Sequence, residues 1–323
     1  MTHENNEIIK SDEVNVEATS ASNTASVSSP TSEERNPAAE PATQVSRRRK
    51  VAWYDFLVIL LIFLLSQVVG TTLIAAVGVE SPSNELLLSE RVDIREDAMR
   101  ELAAVMAINF FSAMFISVVL VIAYLRLRRI RVNVKFFAKG WAMPYRLLVG
   151  YVLLWCFSIV AEPLVELLPT KNIVMGSGFW LLITTVVFAP FFEELLFRGY
   201  ILGAVRSRYG IIAAWLLSSA LFGAVHGVPA SILTATLSGL VLGYYYLRYD
   251  SLVQVMLLHA MNNLTVCFMM SIGVADKSIR EIVAADTIYW TIYVFAAIIS
   301  LCSLGVMIRQ LRMRRKINIS AKQ

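Results

Sequence analysis

The sequence predicts an all-α, polytopic membrane protein of about eight transmembrane helices. Three observations predict it. Of the 323 residues, 57% are hydrophobic and only 16% are charged, whereas a soluble domain carries about a quarter charged residues. The apolar residues gather into blocks of about 18–26, the length at which a helix crosses a hydrocarbon core of ~30 Å. The short segments between the blocks sort by charge, as the two sets of loops of a membrane protein do.

The elements follow in chain order. Residues 1–46 hold eight acidic and two basic residues among Ser, Thr, Asn, Ala and Pro. Such a segment cannot bury enough apolar surface to offset the entropy of ordering, so 1–50 is predicted to be a disordered acidic tail ending in the basic cluster Arg47–Lys50. It has no basic start followed by an apolar core, so it does not read as a signal peptide. Residues 51–316 form the transmembrane domain, and 317–323 a short tail. The apolar blocks fall at 54–78, 103–125, 145–168, 178–206, 211–227, 230–247, 251–273 and 287–308. Pro190 sits inside the fourth, where it removes a hydrogen bond and predicts a bend beside Glu193.

The basic clusters fall between alternate blocks. One side has Arg47–Lys50, the run Arg126 to Lys139, Arg206 and Arg208, Arg248, and the tail Arg309 to Lys316. The other has 80–101, 169–177, the Gly227–Val228–Pro229 turn and 274–286. The positive-inside rule then places both termini in the cytoplasm, in a cytoplasmic (inner) membrane. Topology thus explains the net charge of +5, and nucleic acid is not an expected partner. Cys156, Cys267 and Cys302 make neither a disulfide framework nor a paired metal spacing.

The ionisable residues inside the blocks are few. Glu162 and Glu166 stand near the outer end of the third and read as interfacial. Glu193, Glu194 and Arg198 lie in the fourth, His226 in the fifth, and His259 with Asn262 and Asn263 in the seventh. A central charge costs about 2.5–3.5 kcal/mol to insert, so each needs a partner or water. Glu194 and Arg198, spaced i,i+4, can pair. Glu193 lies ~100° round the helix and is left over. Glu193 precedes the turn at Tyr209–Gly210 by about 16 residues and His226 follows it by about as many, which is equal depth in a helical hairpin, roughly 24 Å of helix. His259 and Asn263 share one face of their helix, as do Phe222 and His226. One carboxylate, two imidazoles and an amide can therefore meet in one cavity.

A carboxylate and an imidazole around one water form a general acid–base pair. In this reading Glu193 takes a proton from water, the hydroxide attacks an amide carbonyl, and His226 holds the water and passes the proton to the leaving amine. His259 and Asn263 are donors for the developing oxyanion. The implied reaction is peptide-bond hydrolysis within the membrane. The alternative is zinc on Glu193, His226 and His259, with Glu194 or another group as base; no H-E-x-x-H helix is present. A rival outside enzymology is a non-catalytic membrane scaffold or immunity protein.

The three motifs Glu193-Glu194-x-x-x-Arg198, Phe222-x-x-x-His226 and His259-x-x-x-Asn263, in this order, resemble those of the CAAX protease and bacteriocin-processing (Abi) family, which includes the type II CAAX prenyl endopeptidases. The resemblance covers about 178–265. It implies an intramembrane endopeptidase in which Glu193 and His226 activate water and His259 and Asn263 line the oxyanion site, with Glu194, Arg198 and Phe222 in support. It also implies glutamate-dependent chemistry without a cofactor or metal. The expected partners are a peptide or membrane-protein substrate and the lipid bilayer. Neither the identity of the substrate nor the oligomeric state is legible in the sequence.

Overall fold

The computed structural model describes residues 51–137, 143–169, 176–275 and 277–320, with side chains to residue 314. The predicted acidic tail 1–50 and the last three residues lie outside the described residues, as do Lys139 and most of the 169–177 loop. Every regular element among the described residues is helical. In chain order these are α1 (Trp53–Ala76), α2 (Asn84–Leu87), α3 (Val92–Leu127), α4 (Pro144–Glu166) and α5 (Phe179–Ile183). A π-helical segment, Thr184–Phe188, leads into α6 (Ala189–Glu194), and a second, Leu195–Ile201, into α7 (Leu202–Ala224). Then follow α8 (Pro229–Tyr249), α9 (Leu252–Ser271), α10 (Ile279–Val283) and α11 (Asp286–Ser320).

Among the described residues seven helical runs are long and apolar enough to cross a membrane, and the protein is a multi-pass membrane protein. Leu57, Leu61, Leu64 and Leu65 on α1, and Phe295, Ile298 and Leu301 on α11, stand exposed where lipid would cover them. One of the seven runs, Phe179–Ala224, has 46 residues, about 69 Å at ~1.5 Å per residue and over twice the hydrocarbon thickness. It does not run straight. Gly210, at φ 86° and ψ −179°, is non-helical, a conformation essentially reserved for glycine. The chain folds back there: the Ser218 hydroxyl donates to the Phe197 carbonyl at 3.4 Å, and the Phe197 and Phe222 rings stand 5.3 Å apart. The fourth and fifth blocks are thus the two limbs of one hairpin.

The returning limb has consequences for the site. From Ile211 to Ala224 it is only about 21 Å long, short of a ~30 Å crossing. The turn between α7 and α8 is therefore set back relative to the end of a full-length span. α8 starts at Pro229, in the first-turn position proline favours, and packs closely on α7. A Cβ on Gly223 would come within 2.6 Å of the Ile232 carbonyl, so only glycine permits this approach.

The ends of the bundle are tied differently. At the basic end, Asp250 caps α8 in a left-handed conformation and takes Lys135 at 3.0 Å and Arg314 at 3.2 Å. Lys135 and Phe136 carbonyls accept the Leu252 and Val253 N–H groups, and Gln310 accepts from Tyr244 and Arg248, both at 2.8 Å. Asp55, fully buried, joins α1 to α3 through Tyr124 at 2.5 Å and Arg128 at 3.0 Å. At the other end Ser278 caps α10 reciprocally with Glu281, and the Ile279 N–H donates to Glu162 of α4.

Candidate active site

The paired glutamates sit on a helix whose register changes on both sides of them. In the π-helical segment Thr184–Phe188 the Ala189 N–H goes to the Thr184 carbonyl. The next residue in that i→i+5 register is Pro190, which has no N–H to offer the Thr185 carbonyl. The Asn263 side-chain amide supplies the missing donor, Nδ2 to Thr185 O at 2.8 Å. At Pro190, where the sequence predicts a bend, the structure describes a change of helical register. Seven residues of π-helix, Leu195–Ile201, follow Glu194 and carry Arg198. Such segments recur at functional sites.

Glu194 and Arg198 pair as their spacing predicts, Oε1 to Nη1 at 2.9 Å, both fully buried. The Arg198 guanidinium lies 4.2 Å over the Phe222 ring, which accounts for an aromatic at that place, and reaches the Gly239 carbonyl at 3.4 Å. The pair is not closed on itself. The same Glu194 Oε1 also contacts His259 Nδ1 at 2.9 Å. His259 Nε2 then lies 3.9 Å from Glu193 Oε2, so one imidazole stands between the two carboxylates. Spacing along one helix could not reveal this sharing, because it needs the packing of α9 against α6.

His226 is not inside a helix. It lies two residues past the end of α7, in the recessed turn before Pro229, and is exposed. Its Nδ1 is 2.7 Å from the Phe222 carbonyl. A carbonyl only accepts, so Nδ1 carries the proton and Nε2 is left with its lone pair. The Phe222 ring is 5.0 Å from the His226 ring and 5.8 Å from that of His259, a wedge between the two. Glu193 is within electrostatic range of both imidazoles.

A cavity of about 610 Å³ opens beside these groups. His226, His259, Asn262 and Asn263 line it, facing Trp155 and Glu162 of α4 and Ser231, Thr234 and Ser238 of α8. Non-helical backbone at membrane depth is tolerated where it borders such a space. Glu193 is not one of the lining residues; its side chain is 16% exposed and its described ionic contact is His259. Glu162, which the sequence reads as interfacial, lines the cavity, and α4 as a whole carries no motif that would have pointed to it.

Zinc asks for three donors about 2.0–2.2 Å from one point. Two such donors on a tetrahedral ion stand about 3.4 Å apart, close to the 3.9 Å between Glu193 Oε2 and His259 Nε2, but among the described residues no three His, Cys, Asp or Glu side chains form a group that could hold a metal.

Comparison with known proteins falls on the same helices. The chain is 30% identical over 89 residues to a protein of Bacillus subtilis (strain 168) named "Putative membrane peptidase YdiL". The aligned stretch is 28% of this chain and 36% of that relative, so the chain spans about a third of its length. No solved structure matches the chain. Residues 175–265 match the family described as type II CAAX prenyl endopeptidase Rce1-like, and all three motifs lie within that matched stretch.

Proposed function

We propose that the protein is an intramembrane endopeptidase that hydrolyses a peptide bond with water activated by Glu193 and His226. One observation carries the reading. Two imidazoles are held by their Nδ1 atoms, His226 on a backbone carbonyl and His259 on Glu194, and both rings border one cavity with Asn263. Fixing Nδ1 in this way presents each Nε2 for chemistry.

Each group then has a task. Water enters from the cavity, and Glu193 removes its proton. His226 Nε2, an acceptor, orients that water, receives the proton from Glu193 once the hydroxide has added to the carbonyl, and passes it to the leaving nitrogen as the C–N bond breaks. With both nitrogens protonated, His259 donates to Glu194 and faces Glu193; the two carboxylates, Arg198 and the ring then sum to zero charge. As the oxyanion develops, His259 Nε2–H and the Asn263 amide hydrogen not committed to Thr185 donate to it, each worth about 10²–10³ in rate. No step requires a metal. The membrane is the cytoplasmic one, with both termini on its cytoplasmic side, and the substrate is a peptide or membrane protein.

The test compares purified protein in nanodiscs, wild type against Glu193→Gln and His226→Ala, on membrane peptides extracted from cells lacking the enzyme. Cleavage by the wild type, absent in both variants and unchanged by a permeant chelator, is expected. Cleavage that survives Glu193→Gln ends the mechanism, and cleavage that stops on chelation replaces it with a metal-dependent one.

A further inference from the structure

One wall of the cavity is unused by the proposed chemistry. Trp155, Ser158 and Glu162 of α4 all line it, and steps of three and four residues place them on one helical face. The catalytic groups lie near one end of this stripe. Gly150 packs so tightly on Leu258, the neighbour of His259, that a Cβ there would come within 2.7 Å of it. From Gly150 to Glu162 the helix rises about 18 Å at ~1.5 Å per residue. An extended peptide covers that span in about five residues at ~3.3 Å each.

Glu162 is only partly tied. One carboxylate oxygen accepts the Ile279 N–H. The other, Oε2, is shut off from solvent and has no hydrogen bond among the described residues, although the Tyr289 hydroxyl approaches the carboxylate. Its charged neighbours include Glu166 and Glu281; Lys277, exposed, lines the same mouth. Among the described residues Arg280 is taken up by Asp286 at 2.9 Å, and Glu162, Glu166 and Glu281 against Lys277 leave this end of the cavity acidic. The Glu162 carboxylate nevertheless borders the cavity, so a ligand's cation there is attracted through space without displacing the Ile279 contact.

We propose that Glu162 is a specificity-determining residue: it selects peptides that carry a cation, a Lys or Arg side chain or a free amino terminus, about five residues from the bond to be hydrolysed. The proposal rests on the peptidase reading of the same cavity. Glu162 touches no reacting atom; it holds the chain in register.

The probe is a set of synthetic twelve-residue peptides, uncharged except for one Lys or one Glu moved through successive positions. Retention is measured on full-length Glu193→Gln protein in nanodiscs, so that nothing is consumed. With Glu162 in place, Lys at one position is expected to bind about tenfold tighter than Glu there. Glu162→Gln, which keeps an oxygen for the Ile279 N–H, abolishes the preference, and Glu162→Lys inverts it. Lys277→Ala widens it. Equal retention of Lys and Glu peptides, including no retention of either, overturns the proposal, as does a preference that Glu162→Gln leaves intact. Cleavage by the Glu193-containing enzyme is read separately. Cleavage without charge preference defeats the role of Glu162 alone, whereas charge-dependent retention without cleavage of any peptide defeats the peptidase reading and leaves Glu162 as a ligand-binding group.

Discussion

Glu194 Oε1 is the most heavily used oxygen in the site, shared by Arg198 and His259. Its removal therefore acts twice. Glu194→Gln keeps the volume but leaves Arg198 buried without its counter-charge and weakens the hold on His259. A fall of about 10² in peptide cleavage is expected, with Glu193 and His226 still present, because misplacing a catalytic group by ~1 Å already costs that much. Arg198→Ala acts on stability instead: an uncompensated buried Glu194 costs about 3–5 kcal/mol, read as a lower unfolding temperature in detergent. An unchanged melting point would mean that the pair is not essential to folding. At this scale the sequence was informative within one helix. Glu194–Arg198 and Phe222–His226 were legible because i,i+4 neighbours meet whatever surrounds them. The bridging by His259 was not, since it depends on how another helix packs.

At the scale of elements, two residues without chemistry shape the site. Pro190 withholds an N–H from the Thr185 carbonyl, and Asn263 answers it. In Pro190→Ala the backbone can serve that carbonyl itself. Asn263→Ala is then expected to cost less stability in the Pro190→Ala background than in the wild type, a coupling of about 0.5–3 kcal/mol in a double-mutant cycle. Additive costs would show that the two do not share the carbonyl. Gly210 turns the chain at φ 86°; Gly210→Ala strains it by about 1–3 kcal/mol, again measured by thermal unfolding. The hydrophobic blocks located these helices to within a few residues. They could not reveal the π-helical register, because proline removes one donor without stating which neighbour will replace it. Nor could they show that His226 lies beyond the end of α7, because Val225 and Gly227 continue an apolar block that the helix itself does not follow.

For the whole molecule, the asymmetry of the two ends matters most. The basic end is crossed by the ties of Lys135 and Arg314 to Asp250, whereas the cavity reaches Glu162, Ala275 and Lys277 at the other. The proposed cytoplasmic placement of the basic loops puts the cavity mouth on the opposite face. In a background free of Cys156, Cys267 and Cys302, Lys277→Cys is expected to react with an impermeant maleimide in intact cells, and Arg131→Cys only after permeabilisation; the reverse pattern inverts the orientation. Eight blocks, charge alternation and three motifs made the architecture legible, since lipid constrains composition strongly. The cavity wall on α4 was not, as Trp155, Ser158 and Glu162 acquire meaning only from the space they border. The central claim is that Glu193 and His226 work as one unit on one water. It is tested most directly by quantifying membrane peptides from cells that express the wild type, Glu193→Gln, His226→Ala or the double variant at equal levels. The same cleavage fragments should vanish in all three variants, with the double no worse than either single; fragments that persist in Glu193→Gln would contradict it.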